Sequence, residues 1–173
     1  MESHITRVKD KLNKCNAIPY KASAFHDSAA LRTLYYSLYL PYINYCSEVW
    51  GNTLKTALDC IVKAQKRAIR IVSKVKFREH TNGLFCKLQL LKFEDLVTYK
   101  IAINMYNANL NVLPPNIQRC FSNYLDSAYS LRSYSLFKVS RARTSFKSYC
   151  LSVYGVKVFN RFPKNIVSAK NVS

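Results

Sequence analysis

The sequence predicts a mainly α-helical protein, in which a helical bundle is followed by a small C-terminal segment of mixed α and β structure. Glycine and proline are scarce, with 3 Gly and 5 Pro in 173 residues, and this scarcity favours long helices over an all-β fold. Apolar residues recur every three or four positions through most of the first 109 residues, which is the spacing of amphipathic helices. Towards the C-terminus the spacing changes, and the stretch from Ser148 to Tyr154 is typical of a strand.

The first helix is predicted over residues 4–18, and the second begins at about residue 28. In the first helix the apolar positions are Ile5, Val8, Leu12 and Cys15. Pro19 is expected to end or kink this helix, because proline lacks the backbone N–H that a helix interior needs. Asp27 or Ser28 can cap the second helix by accepting a hydrogen bond from a free backbone N–H.

The second helix places its predicted core residues on one stripe with alternating spacings of three and four, as a helix that faces a core requires. These residues are Leu31, Leu34, Tyr35, Leu38, Tyr42, Tyr45 and Val49. Pro41 predicts a kink within the helix, since it removes the hydrogen bond to the carbonyl group of Ser37. Gly51 and Asn52 are expected to end the helix.

The third helix is predicted to begin after a cap at Thr53 and to extend to about Ser73. Because each residue turns a helix by about 100°, its apolar and basic residues fall on two opposite arcs. Its apolar arc contains Leu54, Leu58, Ile61, Val62, Gln65, Ala68, Ile69 and Val72. Its basic arc contains Lys55, Lys63, Lys66, Arg67, Arg70 and Lys74. Asp59 is the only acidic residue in this helix. We expect one side to pack in a core and the other to meet solvent or an anion.

Further helices are predicted over residues 82–88, with Thr81 as the cap, and over residues 92–109. The longer helix carries Glu94 and Asp95 in its first turn, where acidic groups interact favourably with the helix dipole. Pro115 can begin another short turn at its first position. The predicted divisions are an N-terminal helix (1–26), a helical domain (27–120) and a basic C-terminal segment (121–173).

The formal net charge is +18, from 27 Lys and Arg against 9 Asp and Glu, and no acidic residue follows Asp126. Such an excess in a small chain predicts a polyanionic partner, either nucleic acid or an anionic membrane surface. The most apolar stretch, residues 31–50, contains Arg32, Asn44 and Glu48, so it predicts a buried helix and no membrane span. A basic protein without any polyanionic partner is the simpler alternative.

The sequence predicts no catalytic residues, no metal site and no cofactor. The 6 Cys include no Cys-x-x-Cys pair, which disfavours a zinc site and suits a reducing compartment, nuclear or cytoplasmic. Nucleotide transfer by two metal ions needs clustered carboxylates, and the one adjacent pair, Glu94 and Asp95, is better explained by the helix dipole. His4, His26 and His80 are far apart in the sequence.

The basic residues predict nucleic-acid binding, because lysine and arginine neutralise backbone phosphates and release counterions. The predicted contacts are Lys55, Lys63, Lys66, Arg67, Arg70 and Lys74 on the third helix, and Arg141, Arg143 and Lys147 in the C-terminal segment. Arg67 and Arg70 are the best candidates for bidentate phosphate contacts. Tyr36 and Tyr39 lie off the centre of the core stripe and are candidates for contact with a base or sugar. A basic face that is merely solvated is the competing interpretation.

Several short blocks, in order along the chain, resemble the reverse transcriptases of non-LTR (LINE-type, jockey/CR1-like) retrotransposons. Residues 28–52 contain Leu-Tyr-Tyr-Ser-Leu, Pro-Tyr-x-x-Tyr-Cys and Trp-Gly-Asn, and residues 64–72 contain Gln-Lys-Arg-Ala-Ile-Arg. The next blocks are Glu79-His-Thr81 with Leu84-Phe85, Leu90-Leu-Lys-Phe93 with Asp95-Leu96, and Met105-Tyr106. Tyr154-Gly155, Phe159-Asn160 and Pro163 are similar to the closing Gly-x-x-x-Trp-Asn-x-Leu-Pro, with Phe in place of Trp and Leu.

The resemblance implies that the chain is the thumb and C-terminal part of an RNA-directed DNA polymerase. Residues 28 to about 110 would grip the template–primer duplex of RNA and DNA, and the tail would contact element RNA or target DNA. The family's Phe/Tyr-x-Asp-Asp palm motif is absent from the sequence. Polymerase activity, and the Mg²⁺ that it needs, would therefore require a palm domain supplied elsewhere. Two other interpretations stay open: a helical protein-interaction module with a basic face, and a decayed fragment without function.

Overall fold

A computed structural model describes residues 2–121 and 137–163 of the chain. Its elements are α1 (Glu2–Ala22), α2 (Ser28–Leu34), the π-helix π1 (Tyr35–Tyr39), α3 (Leu40–Asn44), α4 (Ser47–Trp50), α5 (Lys55–Val72), α6 (Asn82–Leu88), α7 (Phe93–Asn109), α8 (Pro115–Gln118), α9 (Ser145–Tyr149), the π-helix π2 (Leu151–Gly155) and α10 (Val156–Phe159). All of these elements are helical, which confirms the mainly α fold class. Two compact units are present, Met1–Val97 and Thr98–Ser173.

The core of the first unit forms where α1 packs along α5. The buried apolar residues of these two helices include Ile5, Val8 and Leu12 from α1, and Leu58, Ile61, Ala64, Ala68 and Ile69 from α5. Asn16, which is also buried, donates from Nδ2 to the carbonyl oxygen of Ala64 over 3.3 Å. Burying one leucine or isoleucine side chain contributes about 1.5–3 kcal/mol. This packing therefore fixes which side of α5 remains available at the surface.

Pro19 lies inside α1, and the helix continues to Ala22, so the predicted end of the helix at Pro19 is wrong. The Pro19 side chain is buried, and its carbonyl oxygen accepts a hydrogen bond from Ser23 N–H over 2.8 Å. Proline removes the hydrogen bond that its own nitrogen would donate. Burial of the ring offsets part of that loss, and the last turn is retained.

The predicted helix caps have different outcomes. The Asp27 carboxylate accepts from Ala30 N–H over 2.9 Å, which confirms the cap of α2. Thr53 does not cap α5, because Leu54 occupies the N-cap position and has no side chain that accepts a hydrogen bond. Thr81 occupies the N-cap position of α6, but its side chain makes no capping hydrogen bond. Pro115 begins α8 as predicted.

The second predicted helix is divided by π1, and this division changes which residues face the core. Between Ser28 and Asn44 its buried residues are spaced by four positions: Leu31, Tyr35, Tyr39 and Ile43. Tyr42, Tyr45 and Val49 are exposed, so their predicted place on the core stripe is wrong. For Tyr42 the physical reason is the wider π turn, in which Leu40 N–H donates to the carbonyl of Tyr35, five residues back. Pro41 follows this turn directly. Tyr45 and Val49 leave the stripe because the helix breaks at Tyr45, whose ψ is 115°, and at Cys46, which is left-handed with φ of 47°.

Trp50 anchors α4 in the core of the first unit. Its indole Nε1 donates to the carbonyl oxygen of Tyr45 over 2.8 Å, and its ring stacks on Phe93 with centroids 5.2 Å apart. Gly51 follows directly, and a Cβ atom there would lie only 2.6 Å from a methyl carbon of Val97. A glycine is required at this position because the backbone approaches the side chains of α7 closely.

Three helices end on a left-handed residue that is not glycine. These residues are Lys74, Gln89 and Asn111, with φ of 53°, 54° and 57°. The next N–H donates to the carbonyl five residues back in each case: Val75 to Arg70 over 3.1 Å, Leu90 to Phe85 over 3.0 Å, and Val112 to Asn107 over 3.0 Å. This is the Schellman arrangement, in which glycine is the usual residue because a side chain in this conformation costs about 1 kcal/mol.

The elements described in the C-terminal segment are helices that begin at Ser145, so the predicted strand over 148–154 is wrong and the mixed α+β segment is not supported. The Thr144 hydroxyl starts α9 by accepting from Lys147 N–H over 3.2 Å. Residues 151–155 then form π2. A Cβ atom on Gly155 would lie 2.8 Å from Leu151 Cδ1 and 3.0 Å from Met105 Sδ, so the missing side chain permits this compact path.

Phe137 and Asn160 connect the two ends of the described C-terminal segment. The Asn160 amide donates from Nδ2 to the carbonyl oxygen of Phe137 over 2.9 Å and accepts from Phe137 N–H over 3.4 Å. The rings of Phe137 and Phe159 lie 5.8 Å apart, and both are buried. Gly155, Phe159 and Asn160, which belong to the closing sequence block, therefore have packing roles in the second unit.

Candidate nucleic-acid interface

Basic side chains of α5 line two adjoining surface grooves in the first unit. One groove, of about 430 Å³, is lined by Lys63, Lys66, Arg67 and Arg70 from α5, together with Lys9 from α1 and Phe77. The other groove, of about 310 Å³, is lined by Arg67, Arg70, Lys74, Tyr20 and Phe77. Because Arg67, Arg70 and Phe77 belong to both grooves, we treat the two as one surface. We call it the basic groove, defined by Lys9, Lys63, Lys66, Arg67, Arg70 and Lys74.

The packing of α1 on α5 produces this arrangement. Ala64 of α5 and Asn13 of α1 also line the groove, so the cations lie along the edge of the contact between these two helices. Lys63 and Arg67 are exposed, whereas Lys66 and Arg70 are half-buried. Lys9, which is half-buried, reaches the same groove from α1. Of the described residues that line either groove, none is acidic.

Arg70 holds the loop after α5 against the helix. Its Nε donates to the carbonyl oxygen of Glu79 over 2.9 Å, and its guanidinium carbon lies 5.8 Å from the centroid of the Phe77 ring. A guanidinium at this distance from an aromatic face is attracted by the ring quadrupole. Arg70 therefore has a structural role that the sequence did not predict, besides its place in the groove.

Lys63 forms an ion pair within α5. Its Nζ lies 2.6 Å from Asp59 Oδ2, one helical turn away. The hydrogen bond and the charge of Asp59 raise the pKa of Lys63 above its ordinary value. Lys66 and Arg67 have no such ion pair with the described residues. Arg67 is therefore the exposed cation at the centre of the groove whose charge is not already offset.

The remaining predicted contacts lie outside the basic groove. Lys55 is exposed at the first position of α5 and lines neither groove. Arg141 and Arg143 are exposed in the segment before α9, and Lys147 is exposed on α9. These three belong to the second unit. The nine predicted residues are thus divided, with five in the groove, one at the start of α5 and three in the second unit.

The two tyrosine candidates of the second helix have opposite outcomes. Tyr36 is 39% exposed, and its hydroxyl accepts from the Arg32 side chain over 3.3 Å. Tyr39 is 2% exposed and stacks on Tyr35 with ring centroids 5.0 Å apart, so the prediction that it can contact a base or sugar is wrong. The π1 turn is the reason, since it rotates Tyr39 into the core.

Sequence reasoning did not select Lys9, Tyr20 or Phe77 as site residues. A signal was present for Phe77, which stands between Lys76 and Arg78. Basic residues on both sides of an aromatic residue are typical of surfaces that hold single-stranded nucleic acid. No comparable signal existed for Lys9 or Tyr20, because their place in the groove depends on how α1 packs.

Other classes of site are not formed by the described residues. Nowhere in residues 2–121 and 137–163 do three or more His, Cys, Asp or Glu side chains come together in a group that could hold a metal ion. All six cysteines are free thiols. Within the same ranges, no helix has the length and apolar character needed to cross a membrane. Comparison with protein-family models, with curated proteins and with solved structures gives no match to this chain.

Proposed function

We propose that this chain binds the sugar–phosphate backbone of nucleic acid through the basic groove. The observation that supports this most strongly is that six cations from two helices and the following loop line one surface without an acidic residue among its lining. Like charges on one surface repel each other, and a polyanion relieves that repulsion. The net charge of +18 favours the same kind of partner.

The spacing along α5 fits a strand of phosphates. Lys63 and Arg70 are separated by seven residues, which is about 10 Å along a helix. Successive phosphates of one strand in a duplex rise about 3.4 Å, so this interval covers about three nucleotide steps. Contacts of this kind set affinity and position without reading sequence.

The resemblance of the sequence blocks extends the proposal to a biological role. In this proposal the chain is the helical, thumb-like part of a non-LTR retrotransposon reverse transcriptase, and the groove binds the backbone of the template–primer of RNA and DNA. The chain contributes binding and no catalytic group. A palm domain would supply the carboxylates and the Mg²⁺ that polymerisation needs.

Reversing the charge of Lys63, Lys66, Arg67 and Arg70 to Glu tests the groove. The matched control reverses Arg7, Lys11, Lys14 and Lys87, four exposed cations that line neither groove, so the net charge changes equally. Binding to an RNA–DNA hybrid and to a DNA duplex is measured by fluorescence anisotropy over a range of salt. Circular dichroism and thermal melts establish that both variants fold cooperatively.

The groove variant is expected to lose at least about a hundredfold in affinity, and its log–log salt slope on a duplex is expected to fall by about 3.6, at about 0.9 for each lost cation. The control is expected to lose much less. Equal losses in the two variants would show that only net charge matters and would overturn the groove assignment. Efficient displacement of the hybrid by polyglutamate would instead favour an acidic protein as the partner, since polyglutamate supplies charge without a sugar–phosphate backbone.

Replacement of Asp59 by Asn gives a test in the opposite direction. This change releases Lys63 from its ion pair, so affinity is expected to rise by a few-fold at low salt. In a Lys63→Gln background the same change is expected to have a smaller effect, because no released lysine remains. An unchanged affinity after Asp59→Asn would place the bound backbone away from Lys63.

A further inference from the structure

Two aromatic rings are exposed in the basic groove. Phe77 is 75% exposed and Tyr20 is 67% exposed, and both line the part of the groove that contains Arg67, Arg70 and Lys74. Phosphate binding alone does not require exposed rings, because phosphates are bound by cations and N–H groups. Their place beside the cations gives the groove a second kind of chemistry.

The loop that carries Phe77 is held in place by defined hydrogen bonds. Val75 N–H donates to the Arg70 carbonyl over 3.1 Å, and Glu79 N–H donates to the Lys76 carbonyl over 3.0 Å. Arg70 Nε closes the loop from the helix side through its bond to Glu79. Phe77 is therefore exposed on a fixed loop, and binding a planar partner there costs little ordering of the chain.

Exposed rings flanked by cations match the chemistry of an unpaired strand. A base stacked on an aromatic ring contributes about 1–3 kcal/mol in single-strand binding proteins. In a duplex the base faces are already occupied by neighbouring bases, so they cannot stack on a protein ring without being extruded. Arg67 and Lys74 lie in the same part of the groove and can bind the phosphates on either side of such a base.

We propose that the Phe77 end of the basic groove binds single-stranded nucleic acid, with bases stacked on Phe77 and Tyr20 and phosphates bound by Arg67 and Lys74. This inference rests on the proposed function, since it names the form of nucleic acid that the groove prefers. It predicts that the chain binds an unpaired strand more tightly than a duplex with the same number of phosphates in contact.

The test compares a fluorescent oligothymidylate of about 20 nucleotides with an abasic strand of equal length and with a duplex. The abasic strand keeps the phosphates and lacks the bases. The wild-type chain is expected to prefer oligothymidylate to the abasic strand by at least about tenfold, since a single stacked base already contributes about that much. Phe77→Ala is expected to remove most of this preference, Tyr20→Ala part of it, and Phe77→Trp is expected to retain it.

Phe25→Ala is the matched control, because Phe25 is 88% exposed and lines neither part of the groove. It is expected to leave all three affinities unchanged, and Phe77→Ala is expected to leave duplex affinity within about twofold. Equal binding of oligothymidylate and abasic strand by the wild type would overturn the stacking proposal. If the wild type shows no preference for bases but the charge-reversal variant still loses affinity, the proposal of backbone binding is retained without the stacking proposal. If charge reversal has no effect either, both proposals fail.

Discussion

The side chain of Gln65 joins α5 to the phenol of Tyr35, with its Nε2 donating to the Tyr35 hydroxyl oxygen over 3.0 Å. The same amide nitrogen donates to the Leu91 carbonyl over 3.0 Å, and Gln65 Oε1 accepts from Phe93 N–H over 2.8 Å. Gln65 is 1% exposed. One buried side-chain amide thus makes hydrogen bonds to three groups, one in π1 and two in the chain at the start of α7. Gln65 lies on the side of α5 opposite the basic groove.

Gln65→Leu is expected to lower the free energy of unfolding by about 2–4 kcal/mol. The apolar side chain would leave Phe93 N–H and the Tyr35 hydroxyl buried without their partner, and each such group costs about 1–3 kcal/mol. Urea unfolding followed by circular dichroism measures the change. Thr56→Leu, at an exposed position of the same helix, is the control and is expected to change stability by less than about 0.5 kcal/mol.

The stacked pair Tyr35 and Tyr39 predicts a loss of stability at alkaline pH. Burial raises the pKa of Tyr35 from 10.0 to about 12, and burial also raises the pKa of Tyr39. Because both folded-state pKa values lie above the unfolded value, the stability from neutral phenols is complete below pH 10 and is lost as the pH rises towards 12. Each tyrosine is expected to contribute about 1.4 kcal/mol per pH unit in that window. Urea unfolding at several pH values measures the slope.

Phe substitutions separate the two tyrosines. The Tyr39 hydroxyl is buried and has no hydrogen-bond partner among the described residues, so Tyr39→Phe is expected to stabilise the fold by about 1 kcal/mol at neutral pH and to weaken the alkaline loss. Tyr35→Phe also weakens that loss, but it removes the bond from Gln65 and is expected to cost about 1 kcal/mol. Destabilisation by Tyr39→Phe would contradict this assignment.

Lys74→Gly is expected to separate stability from binding. Glycine adopts the left-handed conformation of this position without the penalty of a side chain, so the free energy of unfolding is expected to rise by about 0.5–1 kcal/mol. The lost charge is expected to reduce the salt slope for nucleic-acid binding by about 0.9. Gln89→Gly, at the equivalent position of α6, is expected to give the same stabilisation with unchanged binding. A loss of binding in Gln89→Gly would point to an indirect effect of the glycine.

Gly155→Ala and Gly83→Ala form a matched pair with opposite expected signs. A methyl group on Gly155 meets Leu151 and Met105 at 2.8 Å and 3.0 Å, and overpacking of this kind costs about 1–3 kcal/mol. Gly83 lies in α6, and a methyl group at this position would have no neighbouring atom within 4 Å, so alanine there is expected to stabilise by about 0.5–1 kcal/mol. Thermal and urea unfolding measure both. A neutral Gly155→Ala variant would show that Met105 and Leu151 move aside easily.

Local sequence signals predicted much of the secondary structure. Helical periodicity predicted the bounds of α5 and α7. Residues near the helix ends predicted three further features: the cap at Asp27, the acidic first turn of α7 and the start of α8 at Pro115. The errors occur where a longer-range effect overrides a local one. Pro19 remains in a helix, where its ring is buried, and residues 151–154 lie in π2, whose compact path is permitted by the missing side chain of Gly155 beside Met105.

The candidate site was predicted only in part, because local spacing identifies the residues of one helix but not those that another helix adds. The basic arc of α5 is a property of one helix, and its spacing alone identified Lys63, Lys66, Arg67, Arg70 and Lys74. Lys9 and Tyr20 are distant in sequence and join the groove only because α1 packs on α5. Tyr39 was misplaced, since one π turn shifts every later residue of its helix relative to the core.

By itself, the sequence determined a helical, strongly basic chain with one two-faced helix, because helical periodicity and net charge are properties of local order and composition. Only the tertiary structure decided which cations share a surface and that Arg70 fixes the loop bearing Phe77. Those relationships depend on distances between side chains brought together by packing. No spacing along the chain encodes such distances.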